Sequence, residues 1–234
     1  MKGLVLFDFD GTLADTAPDL AAAANLQRER RGLDPLPLAT LRPVASQGAR
    51  GLLRVALDMS PEHPDYEATR QQFLYDYELA MTQNSHLFPG VDDLLSRLDD
   101  SPLEWGIVTN KMSRLAEPLI SHLGLTERCA AVVCGDTTAH AKPHPEPLLH
   151  AARQAGYIAA DCVYVGDDLR DIQASKAAGM PSIAAAYGYC GHDVAVSAWQ
   201  ADAQADTPTA LWPAIVQLLE QRKSAGADPS WSPR

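Results

Sequence analysis

The spacing of hydrophobic residues changes along this chain at about residue 88. Residues 3–9 form a short apolar run that does not alternate, which is typical of a strand buried on both faces. From Thr16 to about residue 85 the apolar spacing is helical, and prolines separate the helical patterns. One helix is predicted to begin after Thr16 with Pro18 in its first turn. A second is predicted to open at residue 48, and a third to span residues 66–81.

After Phe88-Pro89-Gly90, strand-like runs alternate with helical patterns. The predicted strands cover residues 105–109, 130–134, 162–165 and 181–186. The predicted helices between them cover residues 114–123, 145–155 and 172–178. This order favours a parallel, doubly wound sheet, and the first strand must belong to it because one strand cannot stand alone. The predicted fold is therefore α/β, a Rossmann-like core with a small all-helical domain inserted after the first strand.

The domain boundaries follow from this change of pattern. Residues 1–14 and 86–222 are predicted to form the core, and residues 15–85 the inserted helical domain, which could act as a lid. Residues 223–234 are rich in Ser, Pro, Ala and Gly, which predicts a disordered tail.

Composition narrows the possible partners. The chain has 234 residues, 46% of them hydrophobic, with 19 basic and 30 acidic residues and a formal charge of -11. Such an acidic chain is a poor candidate for nucleic acid or an anionic membrane surface, so an anionic substrate must meet local positive charge or a metal. No apolar run is long enough for a membrane span and no signal peptide is present, so we expect a cytoplasmic location. None of the four cysteines forms a C-x-x-C pair, which leaves little support for zinc.

In an open parallel sheet, ligands bind beyond the carboxyl ends of the strands. Asp8 and Asp10 follow the first strand. Asp10-Gly11 could form a hairpin turn, but a helix follows rather than a partner strand. The two carboxylates are then either solvated acids at a strand end or functional groups.

Three further groups follow later strands. Thr109 and Asn110 could cap a helix or bind a ligand, and Lys142 lies among prolines that fix the local chain. Asp167, Asp168 and Asp171 crowd one strand-to-helix turn, where a helix N-terminus explains one acid more easily than three. Their mutual repulsion favours binding of a cation, and hard oxygen ligands indicate Mg²⁺ rather than zinc. Carboxylates, Mg²⁺ and a lysine around one point suit phosphoryl transfer.

These groups resemble the four motifs of the haloacid dehalogenase superfamily of phosphatases. An insertion after the first motif resembles the helical cap of that family. The motifs, in order, are Asp8-x-Asp10-Gly11-Thr12, Thr109, Lys142-Pro143 and Gly166-Asp167-Asp168-x-x-Asp171. Within the superfamily the chain is most similar to the phosphoglycolate phosphatase group and to its relative that acts on N-acetylmuramic acid 6-phosphate. The segments that carry the similarity to the group are Val108-Thr109-Asn110-Lys111, Lys142-Pro143-His144-Pro145-Glu146-Pro147-Leu148-Leu149 and Tyr187-Gly188-Tyr189. Those that resemble the relative are Trp105-Gly106-Ile107-Val108-Thr109-Asn110-Lys111, Gly48-Ala49-Arg50, Gly166-Asp167-Asp168-Leu169-Arg170-Asp171-Ile172, and Tyr187-Gly188-Tyr189 with Trp199.

The resemblance implies a role for each motif residue. Asp8 would be the nucleophile that becomes phosphorylated, and Asp10 the acid that protonates the leaving group and later activates water. Mg²⁺ would be held by Asp8, by the backbone carbonyl of Asp10 and by Asp167. Asp168 and Asp171 would surround the metal site without binding the ion. The phosphoryl group would be bound by Thr109, Asn110 and Lys142.

Arg50 is the predicted contact for the rest of the substrate. It follows Gly48 and Ala49, two small residues that allow close approach, and it lies near a predicted helix start. Closure of the inserted domain could carry Arg50 over the site to bind a carboxylate. An exposed arginine with no such role is the alternative, since surface arginines are common.

The expected activity is hydrolysis of a small soluble phosphate monoester, either 2-phosphoglycolate or N-acetylmuramic acid 6-phosphate. Two alternatives stay open: a sugar-phosphate mutase of the β-phosphoglucomutase type, and a non-catalytic phosphate-binding module. A dehalogenase would not need Asp10. We expect no nucleic acid or membrane partner, and either a monomer or a homodimer.

Overall fold

The computed structural model describes residues 2–191 and 194–226, with side chains up to residue 222. Its main sheet has six strands, all parallel, in the order β5-β4-β1-β6-β7-β8. These strands are β1 (Gly3–Phe7), β4 (Leu103–Val108), β5 (Ala131–Val133), β6 (Cys162–Gly166), β7 (Ser182–Ala185) and β8 (Ala203–Ala205). The sheet confirms the predicted α/β class, with the first strand at its centre.

Four helices lie between β1 and β4 in the inserted stretch, which we call the helical segment (residues 17–80). They are α1 (Ala17–Glu29), α2 (Leu38–Leu41), α3 (Gly48–Leu57) and α4 (Tyr66–Ala80). A short antiparallel pair, β2 (Ala14–Asp15) and β3 (His86–Leu87), joins the two ends of this insertion. The other α-helices of the described residues pack against the main sheet. They are α5 (Val91–Asp99), α6 (Ser113–His122), α7 (Glu146–Gln154), α8 (Leu169–Ala178) and α9 (Leu211–Gly226).

Both faces of β1 are buried, as its non-alternating sequence predicted. Val5 and Phe7 pack into one hydrophobic cluster with residues of α5, α6 and α9. Leu4 and Leu6 pack into the other, with residues of α7 and α8. The core therefore lies on both sides of the sheet, and the carboxyl ends of β1, β4 and β6 are held side by side.

Polar contacts hold the base of the helical segment. The two terminal guanidinium nitrogens of Arg42 donate to the Asp15 carboxylate, at 2.9 and 2.8 Å. Asp19 accepts hydrogen bonds from the backbone amides of Asn84 and Ser85. These contacts fix α1 and the turn after α2 beside the neck formed by β2 and β3.

Several predicted boundaries differ from the observed ones. β1 ends at Phe7, because Asp8 already begins the loop that follows it. Helices α5 and α9 and strand β8 were not predicted. The prediction of a disordered tail over residues 223–234 differs at its start. Helix α9 continues to Gly226, so residues 223–226 are helical. Residues 227–234 lie outside the described residues.

Among the helices of residues 2–191 and 194–226, none is both long and apolar enough to cross a membrane.

Candidate active site

Asp8 comes directly after β1 and is almost fully buried. Its amide donates to the carbonyl oxygen of Val165 at 2.8 Å, which ties the residue to the end of β6. Its Oδ1 atom accepts from the amide of Phe9 at 2.7 Å and contacts Lys142 Nζ at 2.9 Å. Within the described part of the chain, Oδ2 has no hydrogen-bond donor. One carboxylate oxygen is therefore held in place, and the other remains able to react.

The loop after Asp8 needs glycine. Gly11 has a φ of 88°, and a Cβ atom there would lie 2.2 Å from Oδ2 of Asp167. A Cβ atom at Gly188 would lie 2.3 Å from the carbonyl oxygen of Gly11. The two glycines allow the loop after β1, Asp167 and the loop after β7 to meet.

The Asp10 carboxylate has the same asymmetry as that of Asp8. Oδ1 accepts from the Thr16 hydroxyl and from Lys111 Nζ, the latter at 2.8 Å. Oδ2 has no protein donor among the residues that the structure describes. Asp10 is thus anchored through one oxygen, an arrangement that would suit a group that transfers a proton.

The second motif contributes in two ways. The Thr109 amide donates to Val133 O at 2.9 Å, and its Oγ1 accepts from the Lys111 amide at 3.1 Å. Asn110 instead pairs with the backbone of Lys142, donating to its carbonyl and accepting from its amide, each at 2.9 Å. Asn110 therefore positions the Lys142 loop, although it also lines the cavity described below.

Lys142 is the central cation of the site and is buried. Nζ lies 2.8 Å from three oxygens, and it also contacts Asp8 as described above. The three are Val108 O, Tyr164 Oη and Asp171 Oδ1. Burial alone would lower the pKa of Lys142, but the charges of Asp171 and Asp8 outweigh it, and the pKa is raised. The ammonium group stays protonated.

The three acids of the fourth motif have different partners. Asp168 caps α8 by accepting from the amide of Arg170 at 2.9 Å, and its carboxylate also pairs with the Arg170 side chain. Asp171 accepts from the amide of Asp168 through Oδ2. Asp167 accepts from the Thr12 hydroxyl at 3.0 Å and from the amide of Tyr189 at 2.9 Å.

The charges do not balance at one point of this edge. Lys111 and Arg170 neutralise Asp10 and Asp168 respectively. Three buried carboxylates remain, those of Asp8, Asp167 and Asp171, and their oxygens lie within 4.8 Å of one another. Lys142 is the cation among them. The surplus of negative charge in a buried set of hard oxygens fits a divalent cation such as Mg²⁺.

The pKa shifts have the same cause. Burial, followed by the charge of Asp171, raises the pKa of Asp8 to about 7, although Lys142 opposes the shift. Burial and the charges of Asp8 and Asp171 raise the pKa of Asp167 well above its usual range. A bound cation would remove this repulsion.

A cavity of about 230 Å³ opens over these residues. Its floor is polar and includes Asp8, Asp10, Thr109 and Lys142. Its opposite wall is largely apolar and comes from the helical segment and the start of α6. The residues of this wall are Leu20, Ala45, Ala49, Phe73, Leu74, Met112 and Leu115.

Arg50 is not brought to this cavity. Gln47, Gly48 and Ala49 line it, but Arg50 is exposed and lines a neighbouring cavity of about 510 Å³ together with Arg54. Arg50 follows Ala49 within the first turn of α3, and it lines the neighbouring cavity rather than the cavity over Asp8. The other predicted site residues converge on the carboxyl end of the sheet.

Sequence reasoning missed four residues that complete the site. Tyr164 supports Lys142 and also donates to Val108 O at 2.9 Å. A hydroxyl-bearing residue inside an otherwise apolar strand was the available signal for it. Lys111 follows Thr109 and Asn110 closely enough to have been suspected. Tyr77 gave no signal, because its partner Lys111 lies on another element. Arg170 pairs locally with Asp168, but its contact with Ser46 O, on another element, gave no signal.

Comparison with known proteins agrees with this geometry. A family model described as haloacid dehalogenase-like hydrolase matches residues 5–185. The chain is 48% identical over 211 residues to a phosphoglycolate phosphatase of Xanthomonas campestris pv. campestris (strain 8004), which covers 89% of this chain and 94% of that protein. It is 42% identical over 215 residues to an N-acetylmuramic acid 6-phosphate phosphatase of Pseudomonas putida, covering 92% and 96% respectively.

Solved structures show the same fold. A predicted phosphoglycolate phosphatase from Haemophilus somnus 129PT has a TM-score of 0.80 at 24% identity, covering 91% of this chain and 97% of the other. The family model and the two curated relatives confirm the predictions of the family and of a phosphatase, and the solved structure confirms the fold. With a matching family model over most of its length and relatives above 40% identity, the chain belongs to the haloacid dehalogenase-like hydrolase family.

Proposed function

We propose that this protein is a Mg²⁺-dependent phosphomonoesterase that acts through an aspartyl-phosphate on Asp8. The observation that carries the proposal is the paired arrangement of Asp8 and Asp10. Each carboxylate is anchored through Oδ1 and has no donor on Oδ2 among the described residues. One oxygen can then attack phosphorus while the other exchanges a proton with the leaving group.

Asp8, Asp167 and the backbone carbonyl of Asp10 would hold Mg²⁺, which would neutralise charge on the phosphoryl oxygens when bound. Asp171 has its oxygens occupied by Lys142, Tyr164 and the Asp168 amide, which suits a residue that supports the site without binding the ion. Asp168 serves the same purpose through the capping of α8.

The reaction has two steps. Asp8 Oδ2 attacks phosphorus, the ester P–O bond breaks, and Asp10 gives its proton to the departing alkoxide. Asp10 then takes a proton from a water molecule, which attacks phosphorus and releases inorganic phosphate and free Asp8. The Lys142 ammonium group and the Thr109 hydroxyl stabilise negative charge on the phosphoryl oxygens.

The helical segment, within residues 15–85, would be the cap that determines which ester is accepted. Residues 1–14 and 86–222 would then form the catalytic core. Two substrates fit the relatives named above. Identity favours 2-phosphoglycolate, whereas the apolar wall with Phe73, Leu74 and Met112 favours the larger N-acetylmuramic acid 6-phosphate, which carries methyl groups. Cytoplasmic location and a monomeric or homodimeric state stay predictions.

A panel of phosphate esters tests the proposal. It includes 2-phosphoglycolate, N-acetylmuramic acid 6-phosphate and glucose 1-phosphate, with Mg²⁺ or with chelator. We expect release of inorganic phosphate from at least one ester, only with Mg²⁺. Isomerisation of glucose 1-phosphate without phosphate release would indicate a mutase, and binding without any turnover would indicate a non-catalytic module.

The covalent intermediate has its own test. The substrate for this test is 4-nitrophenyl phosphate, whose leaving group departs without a proton. With this ester, Asp10→Asn removes only the group that activates water, so phosphorylated Asp8 should accumulate. Mass spectrometry of the quenched variant should show the added mass of one phosphoryl group on the peptide that contains Asp8. The same mass on any other residue, or phosphate release at the wild-type rate, would contradict the mechanism.

A further inference from the structure

Lys111 is a second buried cation of the cavity, and no step of the proposed reaction uses it. Its Nζ atom donates to Asp10 Oδ1 and to Tyr77 Oη, each at 2.8 Å. The side chain is 9% exposed, so water competes little with these two contacts. An ammonium group has three donors and no acceptor, so Asp10 and Tyr77 take two of its three hydrogens.

Tyr77 brings the helical segment into this network. It lies on α4, is 1% exposed, and stacks on Phe73 with ring centroids 6.4 Å apart and planes 9° apart. Its hydroxyl therefore reaches Lys111 from a packed position rather than from a mobile surface. Asp10 and Lys111 both belong to the core, so the Tyr77 hydroxyl is the contribution of the helical segment to this group of three side chains.

The protonation states suit this network. Burial raises the pKa of Tyr77 to about 12, so its hydroxyl is neutral at physiological pH. Burial would lower the pKa of Lys111, but the charge of Asp10 and the contact with Tyr77 raise it. A neutral phenol next to the Lys111 ammonium group accepts its hydrogen bond without adding charge to the group around Asp10.

We propose that Tyr77 is a positioning residue for Asp10. By holding Lys111 against Asp10 Oδ1, it leaves Oδ2 as the oxygen that exchanges the proton. Docking of the helical segment on the core would then complete the general acid as well as enclose the substrate. This inference rests on the proposed function, because it assigns proton transfer to Asp10.

Tyr77→Phe removes the hydroxyl and keeps the ring stack on Phe73. The readout is kcat/KM for two ester classes, because kcat/KM covers only the steps up to transfer of the phosphoryl group to Asp8. Alkyl phosphates need a proton on the leaving oxygen, whereas 4-nitrophenyl phosphate has a leaving group that departs without one. We expect a loss of roughly tenfold for the alkyl esters and less than about twofold for the aryl ester.

Tyr66→Phe is the matched control. Tyr66 lies on the same helix and is also buried, but it does not line the cavity. It should leave both kcat/KM values within about twofold of wild type, since most substitutions away from a site have small effects. Thermal unfolding of both variants checks that the fold is intact.

A double-mutant cycle with Lys111→Met closes the test. If Tyr77 acts through Lys111, adding Tyr77→Phe to Lys111→Met should cause no further loss on alkyl esters. Additive losses, equal losses on both ester classes, or no loss in Tyr77→Phe would each overturn the inference. Failure of the proposed function is a different result, because the wild-type protein would then release no phosphate from any ester.

Discussion

The carboxyl edge of the sheet and the helical segment line the same cavity in different ways. At the edge, functional side chains follow strands directly, and neighbouring motifs hold them. Lys142, for example, is held by Val108, Tyr164, Asp8 and Asp171, all within the core. The helical segment instead contributes an apolar wall and few polar contacts, among them the Tyr77 hydroxyl and the carbonyl of Ser46, to which Arg170 donates at 2.8 Å.

From this difference we expect the sheet edge to carry the chemistry and the helical segment to determine which ester is preferred. A buried network whose members satisfy one another tolerates little change, because each lost partner leaves a buried polar group unpaired. An apolar wall can change in shape at a small cost per residue, since hydrophobic swaps of similar volume are tolerated. Substitutions at the sheet edge should therefore lower turnover of every ester, and those in the wall should change which ester is preferred.

The largest effect should come from Asp8→Asn. An amide cannot form the acyl phosphate, so phosphate release from all esters should fall by at least about a thousandfold. The fold should survive, because the change removes a charge that is buried next to Asp171. Assays on the ester panel and thermal unfolding measure the two expectations. Turnover within tenfold of wild type would remove Asp8 from the role of nucleophile.

Loss of the metal should be nearly as severe. Chelator should stop phosphate release, Mg²⁺ should restore it, and Ca²⁺ should not, because its looser coordination disturbs in-line geometry. Mg²⁺ should also raise the melting temperature of the wild type but not that of Asp167→Asn. Asp93→Asn, an exposed acid on α5, is the control and should keep the Mg²⁺-dependent rise. Full activity in excess chelator would exclude a metal from the reaction.

Much of the sheet edge could be predicted because its signals are local. Asp8, Lys142 and Asp167 each follow a buried run by one or two residues or sit in a proline-rich turn, so motif and strand are read together. The contact of Lys111 with Tyr77 and that of Arg170 with Ser46 could not be predicted in this way. Tyr77 is 34 residues from Lys111, and Ser46 is 124 residues from Arg170. Only the docking of the helical segment brings these pairs together.

The elements that were not predicted differ in how much signal their sequences carry. β8 has three residues, Ala-Gln-Ala, with no strand-forming pattern, and it exists because β7 offers an edge to pair with. α5 carried a clear helical signal, since Val91, Leu94, Leu95 and Leu98 are its buried residues. The prediction that Arg50 contacts the substrate differs from the structure for another reason. Each residue of a helix is rotated by about 100° from the one before, and sequence spacing did not fix which face of α3 meets the cavity.

A moderate effect is expected where the core supports its own cation. Tyr164→Phe removes the hydroxyl that accepts from Lys142 and donates to Val108 O. A hydrogen bond to a charged group contributes about 1.5–3 kcal/mol, so kcat should fall by roughly tenfold or more on every ester. Alkyl and aryl phosphates should lose equally, in contrast to Tyr77→Phe. A loss confined to alkyl esters would show that Tyr164 also serves Asp10.

Stability without metal should depend on pH through Asp8. Its pKa is about 7 in the folded protein against a usual value of 3.8, so the unfolded chain releases this proton first as pH rises. In chelator, the free energy of unfolding should therefore fall as the pH rises from about 4 to about 7. The melting temperature of Asp8→Asn minus that of the wild type should increase by a few degrees over this window. A difference that does not change with pH would contradict the burial argument.

The smallest effect should come from Arg50→Ala. The sequence suggested a contact with the substrate carboxylate, which would cost about ten- to a hundredfold in kcat/KM on the true substrate. The structure places the exposed Arg50 side chain in the neighbouring cavity, beyond Gln47, Gly48 and Ala49. An exposed cation outside the cavity over Asp8 is screened by water and salt, so we expect a loss of less than about threefold. Phe73→Ala, in the apolar wall, is the comparison and should change the ratio of kcat/KM between N-acetylmuramic acid 6-phosphate and 2-phosphoglycolate. A tenfold or larger loss in Arg50→Ala, absent with 4-nitrophenyl phosphate, would show that α3 turns on substrate binding and carries Arg50 into the site.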